Sequence, residues 1–146
     1  MKKIGSCYVL IPLAILTLAG LPSTGRSDPD ALVIIVQNGS AAFELNVNEV
    51  RRLFLKEKMR WNGGQKVFPI HAKPGSKARM LFQEKVLRMT QSEESAYWQN
   101  QKIKSGRTPP PEFNDIQKAV FSLKGSIGYC LYSEYKSGTS KIVLKL

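Results

Sequence analysis

Residues Ala31 to Val36 form an unbroken apolar run, Ala-Leu-Val-Ile-Ile-Val, with β-branched side chains at its last four positions. The run is too short to cross a membrane and offers no polar face, so it predicts a strand covered on both sides. Gln37-Asn38-Gly39-Ser40 ends it with turn chemistry. A strand without a polar face belongs inside a layered fold, and the rest of the chain must supply the layers.

The period changes at Asn46. Val47, Val50, Leu53 and Phe54 share one helical stripe while Arg51, Arg52 and Lys56 face away, with Asn46 as N-cap and Glu49 at the third helical position. Trp61-Asn62-Gly63-Gly64 is a turn, and Val67 to Ala72 predicts a second strand that tolerates Pro69 only at an edge or bulge. Ser76 caps a second helix with Ala78, Leu81, Phe82, Val86 and Met89 on its apolar side. Thr90-Gln91-Ser92-Glu93 matches a capping box for a third helix, whose apolar members are Ala96, Tyr97, Trp98 and Ile103 and whose stop is Gly106. Ile116, Ala119, Val120 and Leu123 define a fourth helix between Asn114 and Gly125. Ile127 to Leu131 is a short buried strand, and Ile142, Leu144 and Leu146 alternate as a terminal one. The order predicts one α/β domain, with parallel pairing through right-handed crossovers as the default.

The N-terminus reads differently. Lys2 and Lys3 precede the nearly uncharged stretch Tyr8 to Leu21, which has the proportions of a secretory signal peptide. Gly25 and Ser27 suit cleavage after Ser27, giving a signal peptide over 1–27, a domain over 28–146 and an exported, periplasmic protein; the alternative is an uncleaved anchor. Cleavage removes Lys2, Lys3 and Arg26 and lowers the formal charge from +11 to +8. Cys130 is then the remaining cysteine, expected to be a buried, inert thiol.

Catalytic chemistry is hard to assemble. The single histidine, His71, lies in a strand pattern, and the Glu93-Glu94 pair sits where a helix dipole accounts for it. Neither a GxGxxG, a GxxxxGK[ST] nor a CxxC motif occurs, and no metal or cofactor is implied. The charge map is more informative: between Arg51 and Arg88 eleven basic residues face only Glu57 and Glu84, a window of +9. Inside it, Lys73-Pro74-Gly75-Ser76-Lys77-Ala78-Arg79 turns straight into a helix start. Backbone N–H groups, the Ser76 hydroxyl and the flanking cations suit an oxyanion there. The same residues also read as a plain helix cap beside a solvated cationic face.

Val50-Arg51-Arg52-Leu53-Phe54-Leu55-Lys56 with Arg60-Trp61 and Gly63-Gly64, then Val67 to Gly75-Ser76, then Gly125-Ser126-Ile127-Gly128-Tyr129 resemble, in order, segments of periplasmic phosphate-binding proteins, the substrate-binding components of phosphate ABC transporters. The resemblance implies one lobe of a type II periplasmic-binding-protein fold, a mostly parallel sheet flanked by helices. It also implies a non-catalytic phosphate or oxyanion site at Gly75 and Ser76, to which Lys73, Lys77 and Arg79 would add charge. The family's second Gly and its Thr are Lys77 and Ala78 here, and its acidic residue is Pro74. A looser site with less discrimination against sulfate follows. The implied partners are the oxyanion and the membrane components of an ABC transporter, with a homodimer as a way to rebuild a cleft and no nucleic acid. The alternative is a basic periplasmic interaction module that kept the fold, lost the small ligand and docks on anionic surfaces or partners.

Overall fold

The computed structural model describes residues 28–40, 42 and 44–146, so the expected signal peptide over 1–27 lies outside the described residues. Strand β1 (Leu32–Gln37) sits in a four-stranded sheet of order β2-β5-β1-β6 and is buried from Leu32 to Val36. Strand β5 (Ser126–Leu131) and strand β6 (Ser140–Lys145) both run antiparallel to β1, while β2 (Phe68–Pro69) pairs parallel with β5. The sheet is therefore mixed, and the expected mostly parallel pairing is corrected on this point. A continuous apolar run reports burial on both faces, and that burial is realised here without parallel neighbours.

The predicted second strand divides in two. Phe68–Pro69 joins the main sheet, whereas β3 (His71–Ala72) turns away and pairs parallel with β4 (Glu112–Phe113). Pro69 is accommodated because β2 is the outer strand, where the missing N–H breaks no ladder. In β6 the expected alternation fails as well. Leu144 faces Ile34 and Ile142 faces Ile35, so Val143 is an extra residue in a bulge, and it is Val143 that is buried.

Helix α1 (Val47–Phe54) carries the expected Asn46–Glu49 capping box and buries Val50, Leu53 and Phe54. Helix α2 (Lys77–Phe82) starts at Ser76 and continues as a π turn over Gln83–Leu87, closed by Arg88 in the left-handed region. Helix α3 (Gln91–Ser105) has the Thr90–Glu93 capping box and ends on Gly106. Its inner face is formed by Glu94 and Trp98; Ile103, read as apolar core, is 86% exposed. Helix α4 (Ile116–Ser122) is capped by Asp115 rather than Asn114, and Leu123 falls just past its end.

Neighbouring residues of β5 show how the layers are divided. Gly128 faces α4, where an added Cβ would meet Ile116 Cγ2 at 2.6 Å, Val120 Cγ2 at 3.1 Å and Ile70 Cγ1 at 3.2 Å. Tyr129 points to the other side, stacked on Phe82 at 3.9 Å and tilted against Phe54 at 5.6 Å. Alternation along one strand thus puts α4 on one face and α1 with α2 on the other.

Candidate functional site

The loop that joins β3 to α2 is fixed by two residues with opposite backbone preferences. Pro74 presets its own φ, and Gly75 takes φ +76°, the combination of a type II turn closed by Ser76 N–H donating to Lys73 O at 3.2 Å. The turn delivers Ser76 as N-cap, its Oγ accepting from Arg79 N–H at 3.2 Å. The hydroxyl proton is not consumed by that bond and stays free to donate.

Lys73, Ser76 and Lys77 open onto a cavity of about 650 Å³. Its opposite wall is the start of α4, where Asp115 Oδ1 accepts from Lys118 N–H at 3.0 Å. Lys73, Lys77, Lys118 and Lys136 line this cavity against the carboxylates Asp115 and Glu134, so its lining is net positive. Lys77 Nζ also meets Asp30 Oδ2 at 2.7 Å, a pair with both side chains about half exposed and therefore weak. Among these residues only Lys73, Ser76 and Lys77 were legible as candidates. Asp115, Lys118 and Lys136 come from a different part of the chain and carry no local signal.

Gly75 and Arg79 face elsewhere, onto a smaller cavity of about 310 Å³ shared with Gln83, Glu94 and Trp98. Arg79 is 9% exposed, and its guanidinium is already occupied. Its Nη2 donates to Glu94 Oε1 at 2.8 Å and its Nη1 to Tyr129 Oη at 3.3 Å, and Nη1 also meets His71 Nδ1. Gln83 Nε2 donates to the second oxygen of Glu94 at 2.7 Å, and Tyr129 Oη accepts from Ala72 N–H at 3.2 Å. Arg79 has no acceptor to offer, so His71 Nδ1 must be the acceptor in this contact. That places the imidazole proton on Nε2, which lies 3.6 Å from Glu94 Oε1.

Burial dominates the proton affinities of His71 and Tyr129. It drives His71 well below its ordinary range, with the Arg79 and Lys56 charges acting in the same direction, so the ring is neutral. It pushes the Tyr129 hydroxyl up to about 12 despite the nearby Arg79. Burial likewise raises the Cys130 thiol to about 12, which agrees with the expected unreactive role. His71 is a core residue with an arginine and a tyrosine as partners, and among the described residues no serine or cysteine lies in hydrogen-bond contact with it.

Glu94 was read as one of two carboxylates answering to a helix dipole. Only Glu93 does that work, closing the capping box at Thr90. Glu94 is 4% exposed and balances Arg79. The signal that distinguishes them is spacing: Glu94 stands four residues before Trp98, on the buried side of α3.

No protein-family model matches the chain, and no curated protein matches it. Solved structures do. An ABC-type phosphate transport receptor from Vibrio cholerae superposes with a TM-score of 0.61 at 16% identity, over 78% of this chain and 45% of that one. A possible phosphate binding protein from Planctomyces limnophilus gives 0.57 at 18% identity, over 78% and 40%. PstS from Borrelia burgdorferi gives 0.53 at 15% identity, over 69% and 40%. The chain has the fold of these proteins and spans less than half of their length.

Proposed function

We propose that this protein is an exported, non-catalytic oxyanion-binding protein and that inorganic phosphate is its ligand, held in the cavity between the starts of α2 and α4. The observation that carries the reading is the lining of that cavity: four lysines from three separated segments meet there with the Ser76 hydroxyl. Charge-assisted hydrogen bonds from ammonium groups and a hydroxyl are the chemistry that holds a tetrahedral oxyanion. The likeness to phosphate receptors supports the same ligand. Gly75 serves by fixing the turn and Arg79 by anchoring α2 from behind, while Lys73, Ser76 and Lys77 meet the anion. Asp115, on the facing wall, supplies the proton acceptor that Pro74 cannot, and so favours protonated phosphate over sulfate. The ligand is held by a few charge-assisted bonds in a cavity that opens to water, which sets affinity near the millimolar range. Membrane components of an ABC transporter remain the partners that this reading implies, with the periplasm as the compartment.

A phosphate titration followed by backbone amide shifts at about 150 mM salt, with sulfate in parallel, tests it. Saturable shifts confined to Gly75–Lys77 and Asp115–Lys118 are expected. Diffuse, non-saturating shifts spread over the basic residues would overturn the assignment.

A further inference from the structure

Past the last residue of α4 lies an apolar groove of about 440 Å³ along the outer strand β2. Met59, Phe68, Ile70 and Leu123 contribute its floor and rim, with Phe68 44% and Leu123 39% exposed. Lys56, Lys66 and Lys124 stand around it, and among the described residues no carboxylate lines it. Lys66 Nζ lies 5.1 Å from the centre of the Phe68 ring, so cation and aromatic rise together from the same edge. Lys56 is half-buried and its Nζ donates to Thr108 O at 2.8 Å, so burial first and the charge of Lys66 second hold its ammonium below its ordinary range, and the exposed cations of the rim are Lys66 and Lys124.

The occupant of such a groove is constrained by what the groove lacks. A peptide adding itself to the sheet would need donors along the free edge of β2, and Pro69 has no N–H to give. A second copy of this chain would bring another lysine rim against the first, on a surface whose overall balance is already positive. What remains complementary is an anionic surface with an apolar interior.

We infer that this groove docks the protein on an anionic phospholipid bilayer, Phe68 and Leu123 entering the headgroup region while Lys66 and Lys124 meet lipid phosphates. Exposed apolar side chains supply the insertion and cations the attraction, the combination that interfacial anchors use. Helix α4 borders both features: Ile116–Lys118 and Phe121 line the oxyanion cavity, and Ser122 at its last position lines the groove with Leu123 and Lys124. The inference stands apart from the identity of the anion and survives if that cavity binds nothing.

The test places a tryptophan at Phe68 (Phe68→Trp) in the full chain and, as a control, at Met80 (Met80→Trp), which is 55% exposed beside the smaller cavity. Difference spectra against the parent chain remove Trp61 and Trp98, and every variant shares the same N-terminal segment. With vesicles of phosphatidylcholine containing about 30% phosphatidylglycerol, the Phe68→Trp emission should shift to the blue by about 10 nm, and the Met80→Trp emission should not move. Lys66→Gln with Lys124→Gln should raise the lipid concentration needed about 30-fold, the effect of two lysines at such a surface. An equal shift from both tryptophan variants, no shift from either, or an equal shift on pure phosphatidylcholine would overturn the inference. So would a vesicle-free shift that grows with protein concentration, which would make the groove a self-interface. A shift given only by an acidic apolar peptide would assign it to a protein partner instead, and would also overturn it.

Discussion

Replacing Glu94 by leucine separates two accounts of this carboxylate by several-fold in energy. A first-turn carboxylate answering to a helix dipole contributes about 0.3–1 kcal/mol. A buried carboxylate paired with an arginine is different, because its loss strands the partner's charge at a cost of about 3–5 kcal/mol. Glu94 accepts from Arg79 Nη2 at 2.8 Å and from Gln83 Nε2 at 2.7 Å, and both bonds vanish in Glu94→Leu. Arg79 borders the 310 Å³ cavity, where water can screen it, so the lower end applies, about 3 kcal/mol. With a urea dependence of roughly 1.5 kcal/mol per molar, the unfolding midpoint should fall by about 2 M, as read by far-UV circular dichroism. Adding Arg79→Met should restore the double variant to within about 1 kcal/mol of the parent, since apolar substitution of a buried pair is often neutral. A loss below about 1 kcal/mol in the single variant, or additive losses in the double, would refute the buried-pair account.

His71 is the chain's only histidine and is held well below its ordinary proton affinity in the fold. Its neutral form is shared by folded and unfolded chains above about pH 6.5, and below it the unfolded chain takes the proton first, so stability should fall by up to about 1.4 kcal/mol per pH unit as pH drops. Denaturant melts between pH 7 and 5 should show that slope, and His71→Gln should flatten it; an unchanged slope would refute the assignment. Gly128→Ala forces a Cβ to within 2.6 Å of Ile116 Cγ2 and should cost about 1–3 kcal/mol by the same denaturant assay. Asp115→Asn keeps the helix cap, because both residues cap well. It should tighten sulfate and lower the phosphate-to-sulfate affinity ratio on the order of fivefold, about 1 kcal/mol, in parallel calorimetric titrations.

Much of the architecture was legible because local chemistry decided it. The Asn46–Glu49 and Thr90–Glu93 boxes, the Ser76 cap and the Gly106 stop all stand where short-range rules placed them. What failed was non-local. Strand direction is not written in the composition of β1, whose burial would look the same beside parallel or antiparallel neighbours. The bulge at Val143 inverted the expected inward face of β6, because a single extra residue exchanges the two sides of a strand. At the candidate site, the turn and its cations were visible, but the far wall at Asp115 and Lys118 arrives through tertiary packing, some forty residues beyond Ser76.

The position of Arg79 gives the cluster a consequence for the oxyanion loop. Its backbone N–H is held by Ser76 Oγ while its guanidinium is held by Glu94 on α3 and Tyr129 on β5. One residue therefore ties the helix start to an adjacent helix and to the sheet. The Pro74-Gly75 turn leaves the backbone few alternatives, and the arginine removes freedom on the helical side. A loop fixed at both ends loses little entropy when an anion arrives, and that matters most in a site open to water, where the interactions themselves are weak. At the proposed site Arg79 would thus act on the anion through geometry rather than through its charge, which Glu94 already balances. Disruption of the Arg79–Glu94 pair should consequently weaken phosphate binding at Ser76 and Lys77 even though neither residue of the pair lines the cavity.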